Sequence, residues 1–478
     1  MNYKIITYTL GWVLNIEALC LGLPLLCSLL YQDGCASTFL ISILLCVFVG
    51  TFLCFRAPKN KEMFAKEGFI TVALSWLFIS IFGSVPFYIS GSIPEFHNAF
   101  FETVSGFTTT GASILTDVEI LPKSILLWRS FTHWIGGMCV LVFVVAVLPL
   151  SGGQNFHLIK AESPGPSVNK LVPKVKSTAK ILYSIYLGLT FLEFIFLLLG
   201  KMNWFEALNI SFATAGTGGF GIRNSSLAEY SSYCQSVITI FMLMFGIDFS
   251  VYYLIILKKF KGAIRSDEIR TYICIVIVSI LLISINCRDL YLSAADNLRT
   301  SALQVASIIT TTGFASTDFN LWPEFSKTIL VILMFIGGCA GSTAGGIKVS
   351  RIIILMKTIR KEIKVAAHPK STHKITMNNR VVEHQTLRAT NVFIVSYLVI
   401  FMTSLLLISV DNFGFTTNFT AVAATMNNIG PGLDAVGPTQ NFALFSPLSK
   451  IVLCFNMLIG RLEIFPMLIL FSPFTWKK

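Results

Sequence analysis

Residues 307–317 read SIITTTGFAST, and three other stretches match it well enough to decide the architecture: FETVSGFTTTGAS at 101–113, ISFATAGTGGFG at 210–221 and AATMNNIGPGL at 423–433. Their glycines, Gly111, Gly219, Gly313 and Gly430, lie 108, 94 and 117 residues apart. Each stretch closes a short apolar piece: Phe100 to Thr110, Trp204 to Thr214, Asp296 to Thr312 and Thr417 to Asn428. None reaches the roughly 20 residues that a helix needs to cross a bilayer. Backbone that stops being helical at membrane depth is tolerated only where it is buried in protein or lines a watery cavity. Four such pieces imply that cavity. A unit of span, short helix, glycine turn and span, met four times, outranks any single motif.

Ten apolar segments are long enough to span: 7–31, 37–55, 68–91, 125–149, 179–200, 233–257, 271–287, 326–356, 390–410 and 447–472. The 478 residues are 54% hydrophobic and 13% charged, with a mean hydropathy of +0.74. That much apolar surface needs lipid as its solvent. The formal charge of +12 sits in short basic stretches between apolar runs, the pattern of cytoplasmic loops and not of a nucleic-acid binder. With the N-terminus inside, the loops 55–67, 151–180, 258–270 and 351–388 hold 23 Lys and Arg against about seven on the other side. Both termini are therefore expected in the cytoplasm. Tyr8 to Leu30 has no convincing small-residue cleavage site and reads as a retained helix.

The expected fold is an all-α polytopic membrane protein with four span–pore-loop–span repeats in pseudo-fourfold arrangement, preceded by two extra spans. The boundaries fall at 1–60 for the two leading helices, then 61–160, 161–265, 266–370 and 371–478 for the repeats. The eleven cysteines, among them Cys46, Cys139 and Cys454, scatter through apolar stretches without a CxxC pair. Small-residue packing is their expected role.

A dehydrated monovalent cation needs oxygen atoms in place of its water, and rings of backbone carbonyls supply them. Glycine reaches the dihedrals that point successive carbonyls one way. The expected filter is Thr109, Thr110 and Gly111; Thr217, Gly218 and Gly219; Thr311, Thr312 and Gly313; and Asn428, Ile429 and Gly430. The C-terminal ends of the short helices add partial negative charge there. The four turns carry no charged side chain, so selection by carbonyls is expected, with potassium the ion bound at these residues.

The span beginning at Ser326 is interrupted by GGCAGSTAGG, Gly337 to Gly346. Five glycines in ten, each about 1 kcal/mol worse than alanine in a helix, read either as close helix packing or as a loop under the filter. Its glycines are Gly337, Gly338, Gly341, Gly345 and Gly346. Arg461 lies within MLIGRLEIFPMLIL, where a charge is costly and faces a partner or a cavity. Glu463, two residues on, does not face it. Glu193 and Asp248 are further intramembrane acids, either on the ion path or in buried hydrogen bonds. GTGGFG at 216–221 lacks a βαβ unit, and GSTAGGIK at 341–348 misplaces the lysine of a phosphate loop. No nucleotide site and no intrinsic or covalent cofactor is expected. Without clustered loop carboxylates or a metal set, an enzyme is not expected either. A secondary transporter with broken helices would show a two-part inverted repeat, whereas these four units share one orientation.

The four loops, the order of spans and the two leading segments resemble the TrkH family, membrane subunits of bacterial Trk potassium uptake within the Trk/Ktr/HKT superfamily. The resemblance covers essentially the whole chain, and segments 7–31 and 37–55 set it apart from the KtrB branch. It implies that Gly337–Gly346 is an intramembrane loop obstructing the pore, with Lys348 contributing and Arg461 an electrostatic barrier below the filter. It also implies a homodimer in the bacterial inner membrane, seated on a TrkA-like ring of nucleotide-binding regulators that gates it. The basic stretch Lys357 to Arg388 would face that partner or anionic lipid. Channel-like passage and proton- or sodium-coupled symport are both compatible with the family. The second and fourth loops depart furthest from TTTG.

Overall fold

The computed structural model describes residues 1–55, 63–138, 175–259, 266–369 and 373–476, with 175–178 as backbone only. Cys139, the second half of segment 125–149, the boundary at 160/161, nearly all of loop 151–180 and parts of the other three basic loops lie outside the described residues.

Two long helices open the chain. α1 (Tyr3–Tyr31) starts beneath the Asn2 side chain, which accepts from the Ile5 N–H, and α2 (Ala36–Cys54) returns beside it. Gly11 faces Gly50 and Cys54, and a Cβ on Gly50 would stand 2.8 Å from the Asn15 amide oxygen. That is the small-residue contact that lets two helices approach closely in lipid.

The rest of the chain is built around four short helices: α5 (Phe96–Phe107), α8 (Trp204–Gly216), α12 (Ala294–Ile309) and α16 (Phe415–Met426). All four bury most of their later residues. The longer helices beside them are α3 (Ala65–Gly83), followed by the single turn α4 (Val85–Ile89), and α6 (Lys123–Gly137). Next come α7 (Val175–Leu199), α9 (Ser232–Phe245), α10 (Phe249–Ile256) and α11 (Asp267–Asn286). α13 (Glu324–Ile336), α14 (Val349–Ala367), α15 (His384–Ile408), α17 (Pro447–Arg461) and α18 (Phe465–Phe471) complete the set, with a last turn α19 (Pro473–Trp476). α5 packs between α3 and α6, α8 between α7 and α9, α12 between α11 and α13, and α16 between α15 and α17. The second flanking helix also packs on the next short helix: α6 on α8, α9 on α12, α13 on α16 and α17 on α5. The chain of contacts closes on itself.

Among the described residues six helices are long and apolar enough to cross a membrane, Tyr3–Tyr31, Ala36–Cys54, Ala65–Ile89, Ala179–Leu199, Asp267–Asn286 and His384–Asp411. The segment expected at 233–257 is a pair, α9 and α10, bent by 93°. Asp248 makes the corner by accepting from the Ser250 N–H and starting a new helix. The segment 326–356 divides into α13 and α14 around the glycines. The segment 447–472 divides into α17 and α18 at Glu463 and Ile464, whose φ values are 54° and 74°. Pro466, in the first turn of α18, supplies no N–H to continue the preceding helix. Of 125–149, only 125–137 falls among the described helices, as part of α6.

One small element of the predominantly helical fold is not a helix. Thr376–Met377 and Arg380–Val381 pair as a two-stranded hairpin over Asn378 and Asn379, both with positive φ, as a tight two-residue turn requires. Asp267 accepts from Lys357 Nζ at 2.9 Å, and its own N–H donates to Asn378 Oδ1 at 2.8 Å. The hairpin in the basic stretch is thus tied to α11 and α14.

Candidate functional site

The four short helices end alike. Thr109, Thr217, Thr311 and Asn428 have φ of 55°, 54°, 55° and 56°, and the glycine two residues later also has positive φ in each. The N–H of each of these four donates three residues back, to Gly106, Thr214, Ile308 and Thr425. The next N–H donates five residues back: Thr110 to Ser105, Gly218 to Ala213, Thr312 to Ser307 and Ile429 to Ala424, at 2.8–2.9 Å. This is the Schellman closure of a helix, usually made with glycine in the left-handed position. Here threonine or asparagine occupies it, a conformation that costs of order 1–3 kcal/mol and persists where surroundings over-determine it.

The turns meet in a ring. A Cβ on Gly111 would overlap the Gly218 carbonyl oxygen, one on Gly219 that of Thr312, and one on Gly313 that of Ile429; on Gly430 it would lie 2.8 Å from the Thr110 carbonyl oxygen. Each glycine therefore abuts the residue just before the next glycine, in the order one, two, three, four and back to one. A cavity of about 180 Å³ is lined by all four glycines together with residues that follow them, among them Asn224, Gln440 and Asn441, and, among the described residues, by no carboxylate. At its rim the Asn224 amide bonds the Asp117 carboxylate at 2.8 Å and holds that group below its ordinary range.

The surrounding shell differs from turn to turn. In the first and third, hydroxyl pairs Thr108–Thr110 and Thr310–Thr312 stand 2.8 Å apart. In the fourth, Asn427 bonds Tyr397, while Asn428 Nδ2 donates to Thr110 Oγ1 and to the Met457 carbonyl, each at 2.9 Å. In the second, His133 of α6 fills the space left by Gly216 and Gly218. Behind the first and second turns Arg129 pairs with Glu102 at 2.8 Å, both almost fully buried. Glu102 also accepts from the Ser113 hydroxyl and the Ile114 N–H, and Arg129 donates to the Gly221 carbonyl at 3.1 Å. Removing one member of such a pair strands the other charge, at roughly 3–5 kcal/mol. A Glu102→Ala chain is accordingly expected to melt well below the unaltered protein in detergent, read by thermal unfolding.

The loop Gly337–Gly346 closes at its neck through Ile347 N–H to Phe335, Lys348 N–H to Ile336 and Val349 N–H to Gly338. It docks on the bend between α9 and α10, where Cys339 N–H donates to the Gly246 carbonyl and Phe249 N–H to that of Gly341. Ala340 N–H donates to Glu268 at 2.7 Å. Gly345 N–H donates to the Thr311 hydroxyl at 2.6 Å, and a Cβ on Gly345 would overlap the Asn427 carbonyl oxygen. The loop therefore meets the ring on residues that precede the glycines, whereas the cavity meets those that follow. Lys348 Nζ bonds the Ala344 carbonyl within the loop.

Arg461 donates to the Thr343 carbonyl at 2.8 Å and to the Gly136 and Gly137 carbonyls at the end of α6. Glu463 pairs with Arg351, whose guanidinium also lies 4.1 Å from the Phe393 ring centre. Asp248 accepts from the N–H and hydroxyl of Ser250. Glu193 is fully buried beside Thr214, whose hydroxyl donates to the Ile210 carbonyl instead.

Sequence reasoning passed over Arg129 and His133, though an arginine and a histidine four residues apart inside an apolar segment are the signal of paired intramembrane groups. It also read positive φ only at the glycines and missed the left-handed residue two places earlier.

Comparison with known proteins agrees over the full length. The TrkH family model, described as a cation transport protein, matches residues 36–274 and 290–478. The Trk system potassium uptake protein TrkH of Escherichia coli K12 is 35% identical over 100% of both chains. TrkG of the same strain is 31% identical over 100% of this chain and 99% of its own. The crystal structure of the potassium transporter TrkH from Vibrio parahaemolyticus superposes with a TM-score of 0.90 at 32% identity, covering 100% of each chain.

Proposed function

This chain belongs to the TrkH family of cation transport proteins, and on that premise we propose that it carries potassium across the bacterial inner membrane through a filter of backbone carbonyls. The path has four span–pore-loop–span repeats around one pseudo-fourfold axis, with α1 and α2 outside them, and both termini in the cytoplasm. The single observation that carries the reading is the closed ring in which each turn's glycine abuts the carbonyl of the next. Oxygens of residues 109–111, 217–219, 311–313 and 428–430 then replace the ion's water. Thr109 supports this further, since its buried hydroxyl has no hydrogen-bond partner among the described residues. Gly337–Gly346 is the gate, holding against the ring's inner side, with Arg461 and Lys348 as its cationic supports. A homodimer on a TrkA-like nucleotide-binding ring moves it, and Lys357 to Arg388, with the Asn378–Asn379 hairpin, is the surface that this partner meets. The coupled alternative, proton-linked symport, is favoured by one observation, the buried Glu193 carboxyl beside the second short helix.

The test is cation uptake into proteoliposomes holding the purified protein, with and without the regulatory ring. Potassium and rubidium are expected to enter down their gradients, with little sodium or lithium. Uptake only under an imposed proton or sodium gradient would replace the channel-like reading with the coupled one.

A further inference from the structure

We propose that His133 is a positioning residue that orients the filter carbonyl of Gly219 and so sets the seam between the first and second turns; the inference rests on the filter reading above. In the first and third turns two threonine hydroxyls brace the positions one and three residues before the glycine. In the second turn those positions are Gly218 and Gly216. A Cβ on Gly216 would overlap the His133 backbone carbonyl, and one on Gly218 would overlap the imidazole itself. The space of the threonine pair is occupied by His133, which is fully buried.

The imidazole makes two bonds, one to each turn. Nδ1 lies 2.8 Å from the Gly106 carbonyl oxygen at the end of α5, and Nε2 lies 3.3 Å from the Phe220 backbone nitrogen. A carbonyl only accepts and an amide N–H only donates. Nδ1 must therefore carry the proton and Nε2 must be bare, so the ring is neutral. The charged groups facing it keep to other partners: Arg129, one turn earlier, to Glu102, and Arg461 to the Gly136 and Gly137 carbonyls one turn later. Phe220 packs on the imidazole with ring centres 4.2 Å apart, and its own ring centre lies 4.0 Å from the Arg129 guanidinium.

The Phe220 N–H and the Gly219 carbonyl belong to one planar trans peptide, so fixing the first fixes the second, pointing the opposite way. His133 sits behind the second turn. Holding the N–H toward itself turns the Gly219 oxygen away from the imidazole, the direction an axis-facing ligand needs. The same side chain ties that plane to the carboxyl end of the first short helix. Seam one–two is thereby braced by a side chain from a flanking helix, in the place where the first and third turns carry a pair of threonine hydroxyls bonded to each other.

The experiment measures the potassium-to-sodium permeability ratio of purified protein in proteoliposomes for His133→Leu, His133→Gln and Gly313→Ser. Leucine fills the space but offers no acceptor to the Phe220 N–H; glutamine's carbonyl reaches the Nε2 position. The expected result is a ratio about tenfold lower for His133→Leu and within about twofold of the unaltered protein for His133→Gln. An unchanged ratio in His133→Leu beside a lowered one in Gly313→Ser would overturn the inference and leave the filter standing. Unchanged ratios in both would remove the filter reading and this inference with it. A His133→Gln ratio as low as that of His133→Leu would also overturn it, because the acceptor would then not be what matters. Should His133→Leu not reach the membrane, His133→Asn serves: it keeps the Gly106 bond, leaves the Phe220 N–H bare, and is expected to lose selectivity as leucine does, an unchanged ratio refuting the role.

Discussion

A Gly313→Ser chain is expected to lose most of its discrimination between potassium and sodium while still inserting and folding. Gly313 has φ of 85°, and a Cβ there would overlap the Ile429 carbonyl oxygen and stand 3.0 Å from Pro431 Cδ. A side chain meets two obstacles at once. The backbone conformation is one that non-glycine residues hold at a cost of order 1–3 kcal/mol, and the neighbour that must yield is a backbone oxygen of the fourth turn. Either response, a change in φ at 313 or a retreat of Ile429, moves an oxygen of the ring. Selectivity between two ions is a difference of free energies in which about 1.4 kcal/mol is tenfold, so a displaced ligand oxygen is enough to lower the ratio by an order of magnitude. Gly188 of α7 provides the control, since a Cβ there meets nothing within 4 Å, and Gly188→Ser is expected to transport as before. The measurement is the potassium-to-sodium permeability ratio; a Gly313→Ser ratio equal to that of the Gly188→Ser control would take the third turn off the ion path.

Much of this arrangement is legible in the residues because its causes are local. Hydropathy runs place α1, α2 and α15. A glycine after a short apolar piece marks where each of α5, α8, α12 and α16 stops, and five glycines in ten residues break α13 from α14. What stayed hidden depends on contacts between residues far apart in the chain. The 93° corner between α9 and α10 needs the carbonyls of Phe245 and Gly246 to find partners in the loop 337–346, about a hundred residues later. The partner of Glu463 is Arg351 and not its chain neighbour Arg461, a pairing that no helical spacing encodes. The left-handed Thr109, Thr217, Thr311 and Asn428 have no sequence mark, because only the packed ring makes that conformation the cheapest one. The second turn departs from TTTG without any reason visible in its own residues. In the structure Gly216 and Gly218 make room for His133, so the missing side chains are themselves a packing feature.

Replacing Arg461 with Ala is expected to raise potassium flux in the absence of any regulatory partner, and the size of the rise follows from what the guanidinium holds. Its two terminal nitrogens bridge the Thr343 carbonyl of the loop Gly337–Gly346 to the Gly136 and Gly137 carbonyls of α6. Hydrogen bonds from a charged group contribute about 1.5–3 kcal/mol. Losing about 2 kcal/mol from the docked position of the loop would raise the undocked population roughly thirtyfold. Two explanations of that rise are separable. If Arg461 acts as a positive barrier on the path, Arg461→Lys keeps the charge and should stay near the unaltered rate. If it acts as a tether, Arg461→Lys should leak almost as Arg461→Ala does, since one ammonium cannot reproduce the planar fork that spans both segments. The bonds to Thr343 on one side and α6 on the other favour the tether, and the lysine variant is expected to leak. If the loop is the gate proposed above, partial deletion of Gly337–Gly346 should raise flux further, because it would remove the obstruction and not merely its fastening. Flux unchanged by both the alanine substitution and the deletion would show that ions are stopped elsewhere along the path.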